Sequence, residues 1–350
     1  MNELAAFYSG KRIFLTGHTG FKGAWMSLWL RHMGAQVTGF ALPAPEGDSL
    51  HRLLGEERMR HYYGDVADAG LLAQAMHEAQ PDMVLHLAGQ SLVRESYADP
   101  LTSFRTNVMG TASVLDAARH APKNLRAIVV ATTDKCYRDA GKGAACQEGD
   151  ALGGREPYAA SKAAAELVAA SYRDSFFGGG FVASVRCGNV IGGGDFGADR
   201  LIPDLFRAAR AGAPALLRHP EAVRPWQHVL DALHGYLLLG MRLHGQGAAY
   251  AKAYNFGPED DMKVGELADA FSQALGQGGW QAQALENAPY ETPVLRLDAA
   301  QARRQLGWRP RYTTQQAVAL AAAWYRAYLQ DAEQARALTL THIDDYMRML

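Results

Sequence analysis

The sequence has 350 residues, 48% hydrophobic and 20% charged, with 35 Lys plus Arg set against 36 Asp plus Glu. That length is enough for one large α/β unit and a smaller lobe. The balanced charge leaves no electrostatic footprint for nucleic acid or an anionic membrane, and no apolar run approaches the roughly 20 residues of a membrane span. Cys136, Cys146 and Cys187 are too sparse for a disulfide framework and lack metal-ligand spacing, so reduced thiols, a cytoplasmic location and no metal are expected. The opening MNELAAFYSGKR has no signal-peptide pattern and is expected to enter a strand at once.

Arg12 to Leu15 reads as a short buried strand running into Thr16-Gly-His-Thr-Gly-Phe-Lys-Gly23. Trp25, Leu28, Trp29 and His32 then recur at helical spacing, with Gly34 as the stop. Strand, glycine turn and helix in that order form the setting that holds a pyrophosphate. Gly17, Gly20 and Gly23 let the backbone turn, approach the phosphates and pack the helix. Gly17, His18, Thr19, Gly20, Phe21 and Lys22 are therefore expected to bind a dinucleotide. The second strand, Val37 to Phe40, ends without the Asp or Glu that binds adenosine ribose hydroxyls in NAD sites. His18 and Lys22 are potential cations beside the turn, so NADP stays open as well as NAD. A third strand leads to Gly64-Asp65-Val66, where Asp65 is placed to accept from an adenine amino group, and a helix from Leu71 to Ala79 follows.

Met83 to Gly89 reads as a fourth strand whose end, Leu87-Ala88-Gly89, is small enough for the backbone to pass beneath a cofactor. Gln90 to Tyr97 is expected as a loop over it, and one long helix from Pro100 to His120 carries Asn107. A fifth strand, Ala127 to Val130, delivers Thr132, Thr133, Asp134 and Lys135 at its carboxyl end, the edge at which open α/β sheets bind ligands. Pro157 opens a helix to Phe177 that carries Tyr158 and Lys162. Gly178 to Gly180 ends it before a sixth strand, Phe181 to Val185. This alternation predicts an α/β fold with a Rossmann-type, doubly wound parallel sheet over residues 1–186.

After Arg186 the character changes. Gly188 to Asp195 is glycine-rich without strand–turn–helix context, so it is expected to be a substrate loop. Arg200 to Pro203 opens a helix. Arg224-Pro-Trp-Gln-His228 brings together a guanidinium, an indole and an imidazole, a set suited to a nucleotide diphosphate. Tyr254 to Pro258 reads as a strand ending in a turn, Asp298 caps a short helix ending at Leu306-Gly-Trp308, and Thr313 to Gln330 is a helical tail with a capping box. Residues 187–350 are thus expected to form a smaller mixed α/β substrate lobe. About 222–258 should return to the first domain.

Tyr158 and Lys162 lie one helical turn apart on one face. A tyrosine with its free pKa of about 10 is a poor base, and the ammonium favours the phenolate. A phenolate beside a nicotinamide takes a hydroxyl proton as the carbinol hydride leaves. Asp134 and Lys135 add what an elimination needs: a group to protonate a departing hydroxyl and one to remove a proton beside a carbonyl.

Nearly the whole chain resembles the extended short-chain dehydrogenase/reductase family in its glycine turn, Asp65-Val66, Tyr158-x-x-x-Lys162, Asn189, Arg224 and the terminal Leu306-Gly-Trp-x-Pro310. Within that family it resembles the CDP-glucose 4,6-dehydratases. The shared stretches are Thr16 to Gly23, Ser91-Leu-Val-Arg94, Thr133-Asp-Lys-Cys-Tyr137, Gly188 to Asp195, Asp199 to Pro203 and Arg224 to Val229. Many related dehydratases carry Asp-Glu in place of Asp134-Lys135, and the epimerases lack the pair. The resemblance implies a tightly held NAD and a nucleotide-sugar substrate that is oxidised at C4, loses water across C5 and C6, and is reduced at C6. In that scheme Tyr158, helped by Lys162 and Thr133, deprotonates the 4-hydroxyl. Lys135, its pKa lowered by partial burial and by Lys162, takes the C5 proton, and Asp134 protonates the leaving hydroxyl. Ser91, Asn189, Arg200, Leu201 and Arg224 would bind the substrate. A homodimer or dimer of dimers built through the helices around 100–120 and 158–177 is implied, as is a place in deoxysugar biosynthesis of the O-antigen kind. Gly89 departs from the family and is expected to loosen the cofactor floor; Cys187 and a short Arg138 to Gly149 stretch are further departures. The rival readings are a dehydratase acting on another nucleotide sugar, a nucleotide-sugar 4-epimerase, and a noncatalytic NAD-binding scaffold.

Overall fold

Buried β-strands that alternate their side chains between two faces need a helical layer on each face, and the central strands here are almost wholly buried. A computed structural model describes all residues except 1–2, 56–58, 122–123, 139–142 and 284–291. The short stretch from Arg138 to Gly149 therefore lies partly outside the described residues. In chain order the elements of the first half are α1 (Glu3–Tyr8), β1 (Arg12–Thr16), α2 (Phe21–His32), β2 (Gln36–Ala41), α3 (Leu50–Leu53), β3 (Arg60–Tyr63), α4 (Ala69–Ala79), β4 (Met83–His86), α5 (Val93–Ala98), α6 (Pro100–Phe104), α7 (Gly110–Arg119), β5 (Ala127–Ala131), α8 (Pro157–Phe176) and β6 (Val182–Cys187). There follow β7 (Val190–Ile191), α9 (Leu201–Arg210), β8 (Ala215–Leu217), β9 (Val223–Arg224), β10 (Gln227–His228), α10 (Val229–Gln246), β11 (Ala253–Phe256), β12 (Met262–Lys263), α11 (Val264–Leu275), β13 (Trp280–Ala282), α12 (Ala300–Leu306), α13 (Thr314–Gln330) and α14 (Ala335–Arg348).

The main sheet has seven strands in the order β11-β6-β5-β4-β1-β2-β3, and every pairing in it is parallel. This is the doubly wound α/β arrangement expected, with the Tyr254 strand as its seventh member. Phe14, Val84, Ile128, Val130 and Val182 pack on one side against Leu72 and Met76 of α4 and Val114 and Leu115 of α7. Their neighbours Ile13, Leu15, Leu85, Val129 and Val185 join the larger core on the other side, with Trp25 and Trp29 of α2 and Leu230, Leu233 and Leu237 of α10. Three two-stranded pairs, β7 with β10, β8 with β13 and β9 with β12, carry the rest of the C-terminal part.

Several local expectations are corrected. Residues Glu3–Tyr8 form a helix before the first strand, pinned where the Tyr8 hydroxyl donates to the Leu237 carbonyl at 2.7 Å. The expected loop over the cofactor contains α5. The expected single helix from 100 to 120 is interrupted by a π-helical turn at Arg105–Met109 that holds Asn107. Helix α14 was not anticipated, because the face it buries mixes Thr339 and His342 with Ala335, Ile343 and Tyr346. An apolar period is hidden in such a stripe.

Asp231 ties the last segments to α10. Its buried carboxylate accepts the Arg311 N–H at 2.6 Å and the Tyr346 hydroxyl at 2.8 Å. Burial nevertheless dominates and raises its pKa to about 6, so the folded protein holds this proton more tightly than the unfolded chain. The contribution of the raised pKa is complete below the ordinary carboxyl range and is lost as pH rises through about 6. The stability of the wild type relative to Asp231→Asn should therefore decline between roughly pH 4 and pH 6 and level off above, read from urea midpoints of both proteins across that range.

Candidate active site

The strand order reverses direction between β1 and β4, so the loops leaving those strands diverge and open a crevice at the carboxyl edge. A cavity of about 820 Å³ occupies it, toward the large end for ligand clefts. Its walls include Gly17, Thr19, Gly20, Phe21, Lys22, Asp65, Val66, Leu87, Ala88, Gly89, Thr132, Thr133, Asp134, Lys135, Tyr158 and Lys162, together with Ser91, Asn189, Arg200, Leu201 and Arg224. Segments far apart in the chain thus meet at one site.

The floor is shaped by missing side chains. Gly17 has φ +75°, and a Cβ there would lie 2.6 Å from the Ala88 nitrogen; only glycine fits both the left-handed backbone and the close approach. Gly20 precedes α2 with no side-chain cap, which leaves first-turn N–H groups for an anion. Leu42, Pro43 and Pro45 form the neighbouring wall after β2. These features fit a dinucleotide diphosphate. Gly89 does not loosen the floor as expected: a Cβ there would sit 2.8 Å from Lys162 Nζ and 2.9 Å from Asn107 Oδ1, so its absence makes room for both.

Two of the turn's expected cations behave differently from expectation. The His18 ring does not line the cavity; it is fully buried beside His51 and His61, and burial lowers its pKa to about 3. A neutral imidazole facing away cannot meet a phosphate as a cation. Lys22 reaches inward, 3.4 Å from the Tyr236 hydroxyl, with its pKa lowered by burial. Asn107 also stays behind the wall. Its side chain accepts the Gln90 N–H at 3.0 Å and donates to the Gln90 carbonyl at 3.0 Å and to Ser161 Oγ at 2.8 Å, fixing the loop against α8.

The reactive groups converge at the ends of β5 and α8. Thr133 Oγ1 donates to Asp134 Oδ1 at 3.1 Å, while Asp134 Oδ2 is buried without a hydrogen-bond partner. A Cβ on Gly188 would lie only 2.1 Å from that oxygen. Burial raises the Tyr158 pKa, opposed by the Thr133 hydrogen bond and by Arg200. The expected lowering by Lys162 is not what the geometry delivers. Lys162 Nζ instead donates to the Ala131 carbonyl at 3.2 Å, and burial, with Lys22 nearby, brings its own pKa down to about 8. Its like-charge neighbour is Lys22 rather than Lys135, which lies close to the Glu156 carboxylate.

At the far end, Arg200 Nη1 donates to both Asp195 carboxylate oxygens at 3.0 Å, and Nη2 donates to Ser91 Oγ at 2.5 Å. Arg224 Nη1 donates to the Val223 carbonyl at 2.9 Å. Arg94 and Arg218 line the same wall, so several guanidiniums face a space suited to a diphosphate. Of the indole and imidazole expected to join them, Trp226 lines the cavity. His228 does not: it is buried, accepts the Leu230 N–H through Nδ1, and packs against Trp25 and Tyr312. Cys136, Cys146 and Cys187 are all buried and unbridged.

Two supporting residues were missed by sequence reasoning. Glu156 caps α8 by accepting the Tyr158 and Ala159 N–H groups, and an acidic residue directly before a first-turn proline is the signal that could have found it. Glu166 has no such local signal. Its carboxylate accepts from Thr132 at 2.5 Å, Ser184 at 2.6 Å and Arg186 at 2.9 Å, and the Arg186–Glu166 pair is about 5% exposed. Removing one partner strands a buried charge. Glu166→Ala should therefore cost about 3–5 kcal/mol in urea unfolding, far more than removal of an exposed carboxylate.

The family model described as GDP-mannose 4,6 dehydratase matches residues 14–320. The chain is 41% identical to the CDP-glucose 4,6-dehydratase of Salmonella typhimurium, across 97% of each protein. It is 30% identical to the dTDP-glucose 4,6-dehydratase of Streptomyces antibioticus, over 90% of this chain and 92% of that one. The crystal structure of a dTDP-glucose 4,6-dehydratase from Streptomyces venezuelae with NAD bound superposes with a TM-score of 0.80 at 26% identity, covering 93% of this chain and 99% of that one. With its seven-stranded parallel sheet and its large crevice-centred site, the chain belongs to the GDP-mannose 4,6-dehydratase family within the extended short-chain dehydrogenase/reductases, and it is an enzyme.

Proposed function

We propose that the protein is an NAD-dependent hydro-lyase that converts CDP-glucose to CDP-4-keto-6-deoxyglucose and water. The observation that carries this reading is the Asp134 carboxylate, buried beside Tyr158 in the cavity with one oxygen lacking a hydrogen-bond partner. An acid so placed has no use in simple oxidation or epimerisation but is required to expel a hydroxyl. The full-length likeness to the Salmonella enzyme supports CDP-glucose as substrate, and the NAD in the Streptomyces structure supports the cofactor.

Residues 1–186, with the return segments of about 222–258, would hold NAD, and residues 187–350 mainly the nucleotide sugar. Gly17, Thr19, Gly20, Phe21 and Lys22 would surround the diphosphate, with His18 supporting the turn from behind. Asp65 and Val66 would flank the adenine, while Leu87, Ala88, Gly89 and Thr132 form the floor that Asn107 braces. Bound there, NAD would supply reversible hydride acceptance and a cationic ring beside Tyr158. His18 is turned away from the cavity and Lys22 reaches inward to Tyr236, which favours NAD over NADP.

Tyr158 takes the proton of the 4-hydroxyl, aided by its hydrogen bond with Thr133 and by Arg200, which act against the effect of burial. Once C4 is a ketone, the C5 hydrogen is acidic and Lys135 removes it. Asp134 delivers a proton to the departing 6-hydroxyl through its unpaired oxygen. Ser91, Asn189, Arg200, Leu201 and Arg224 hold the nucleotide and its diphosphate, and closure around them excludes water from the ketone. The protein works in the cytoplasm, where its buried thiols stay reduced, and feeds deoxysugar synthesis of the O-antigen kind.

Purified protein should form the alkali-absorbing 4-keto-6-deoxy product from CDP-glucose and little from GDP-, UDP- or dTDP-hexoses. A preference for another nucleotide would overturn the substrate, and product isomers without a ketone would overturn the dehydratase. Asp134→Asn and Lys135→Ala should each lower turnover by roughly 10²–10⁴-fold while reduced cofactor still forms. Full activity in either variant would remove that residue from the mechanism.

The working unit is a homodimer, or a dimer of dimers, formed through α6–α7 and α8. These helices and the π turn between α6 and α7 expose Leu101 at 81%, Met109 at 57% and Leu167 at 61%, large apolar side chains that matching helices of a second copy would cover. Leu101→Glu with Leu167→Glu should shift the sedimenting species to monomer, and an unchanged dimer would place the interface elsewhere.

A further inference from the structure

Behind the glycine turn three histidines from separate elements meet: His18 from the turn, His51 from α3 and His61 from β3. One nitrogen of each lies within 4.8 Å of the other two. The ring centroids are 5.1 Å apart for His18 with His51, 5.1 Å for His18 with His61 and 5.6 Å for His51 with His61, so the rings form a near-equilateral triangle. No reactive or binding role described above uses these rings, and the cysteine count that led to expecting no metal says nothing of them.

Bringing three imidazoles together has a physical cost that an ordinary core packing avoids. A ring nitrogen of His18 lies 3.1 Å from one of His61, too close for both to carry hydrogen and too close for both to be bare lone pairs. Either a proton or a cation must lie between them. His18 is completely buried, and its second ring nitrogen, Nδ1, meets no hydrogen-bond criterion. Gly39 of β2 makes room for it: a Cβ on that residue would be 2.5 Å from the imidazole. His61 is only partly buried and stacks on the exposed Tyr63 ring at 5.9 Å, leaving a path from solvent and a side for water.

We propose that His18, His51 and His61 form a binding site for a divalent first-row transition ion of the zinc class, with water completing a tetrahedral shell. Three neutral imidazoles are the donor set such ions prefer over magnesium or calcium. With metal–nitrogen bonds of about 2.0–2.1 Å, tetrahedral ligands stand about 3.4 Å apart. The His18–His61 separation is already near that value, and the widest side of the triangle closes by at most about 1.4 Å. The ion sits on the reverse of the turn whose front lines the cavity, where it would lock Gly17 and Thr19 to β3 and α3. It is a structural clamp and takes no part in the chemistry.

Untagged full-length protein, stripped with a chelator and desalted, should bind Co²⁺ with visible absorbance of tetrahedral intensity saturating at one ion per chain and displaced by Zn²⁺. Zn²⁺ should also raise the thermal midpoint. His61→Gln and His51→Gln each remove a direct ligand, so each should weaken Co²⁺ binding by more than the roughly 10–100-fold that loss of an outer-shell partner costs, with unchanged far-ultraviolet circular dichroism. Should a variant fold poorly, X-ray absorption of the zinc-loaded wild type decides alone: a shell of nitrogen and oxygen with scattering from about three imidazoles supports the site, and sulfur in that shell overturns it. Binding by the wild type no tighter than by the doubly substituted protein would equally overturn it.

Discussion

The buried ion pair between Arg186 and Glu166 fixes the active-site geometry. Glu166 lies one turn beyond Lys162 on α8, and its carboxylate reaches Thr132 at the end of β5 as well as Ser184 and Arg186 on β6. Arg186 in turn donates to the Tyr137 hydroxyl at 2.9 Å, which donates to Asn255 of β11 at 2.6 Å. A low-dielectric network of this kind tolerates no slack, because each unpaired member would bear its full desolvation cost. The turn that carries Thr133 and Asp134 is thereby held at a set distance from the helix that carries Tyr158.

On that frame the cavity keeps several groups in states they would not adopt in water. Lys162 is pushed toward neutrality by burial and Lys22, while Tyr158 is pushed away from ionisation by burial. Opposed shifts in adjacent groups are the mark of a site prepared for proton transfer. The Asp134 oxygen with no partner belongs to the same pattern, a polar atom left unsatisfied where chemistry needs it.

The parallel, doubly wound sheet and the reactive part of the cavity wall were legible in the sequence because strand, glycine turn and helix follow one another with clear periodicity. Tyr158, Lys162 and the Thr133–Lys135 stretch were legible through their position at a strand's carboxyl end. What could not be read was the direction in which side chains point. His18 and Lys22 sit in the same turn, yet one ring turns back into the protein and the other side chain goes forward. His228 and Trp226 are two residues apart, and only the indole reaches the cavity. Glu166 was invisible for a different reason: its partners come from β5 and β6, and no local pattern announces a tertiary ion pair.

The π-helical turn at Arg105–Met109 makes this helix a place where chain length cannot vary. A π turn carries one residue more than the α-helix on either side of it, and each residue turns a helix by about 100°. Loss of a single residue here would restore an unbroken α-helix. Asn107 would then swing off Gln90 and Ser161, and Val114 and Leu115 would rotate out of the sheet-facing core. Substitutions between Pro100 and Arg119 are therefore far easier to accommodate than a one-residue deletion, which would unseat the loop and the core together.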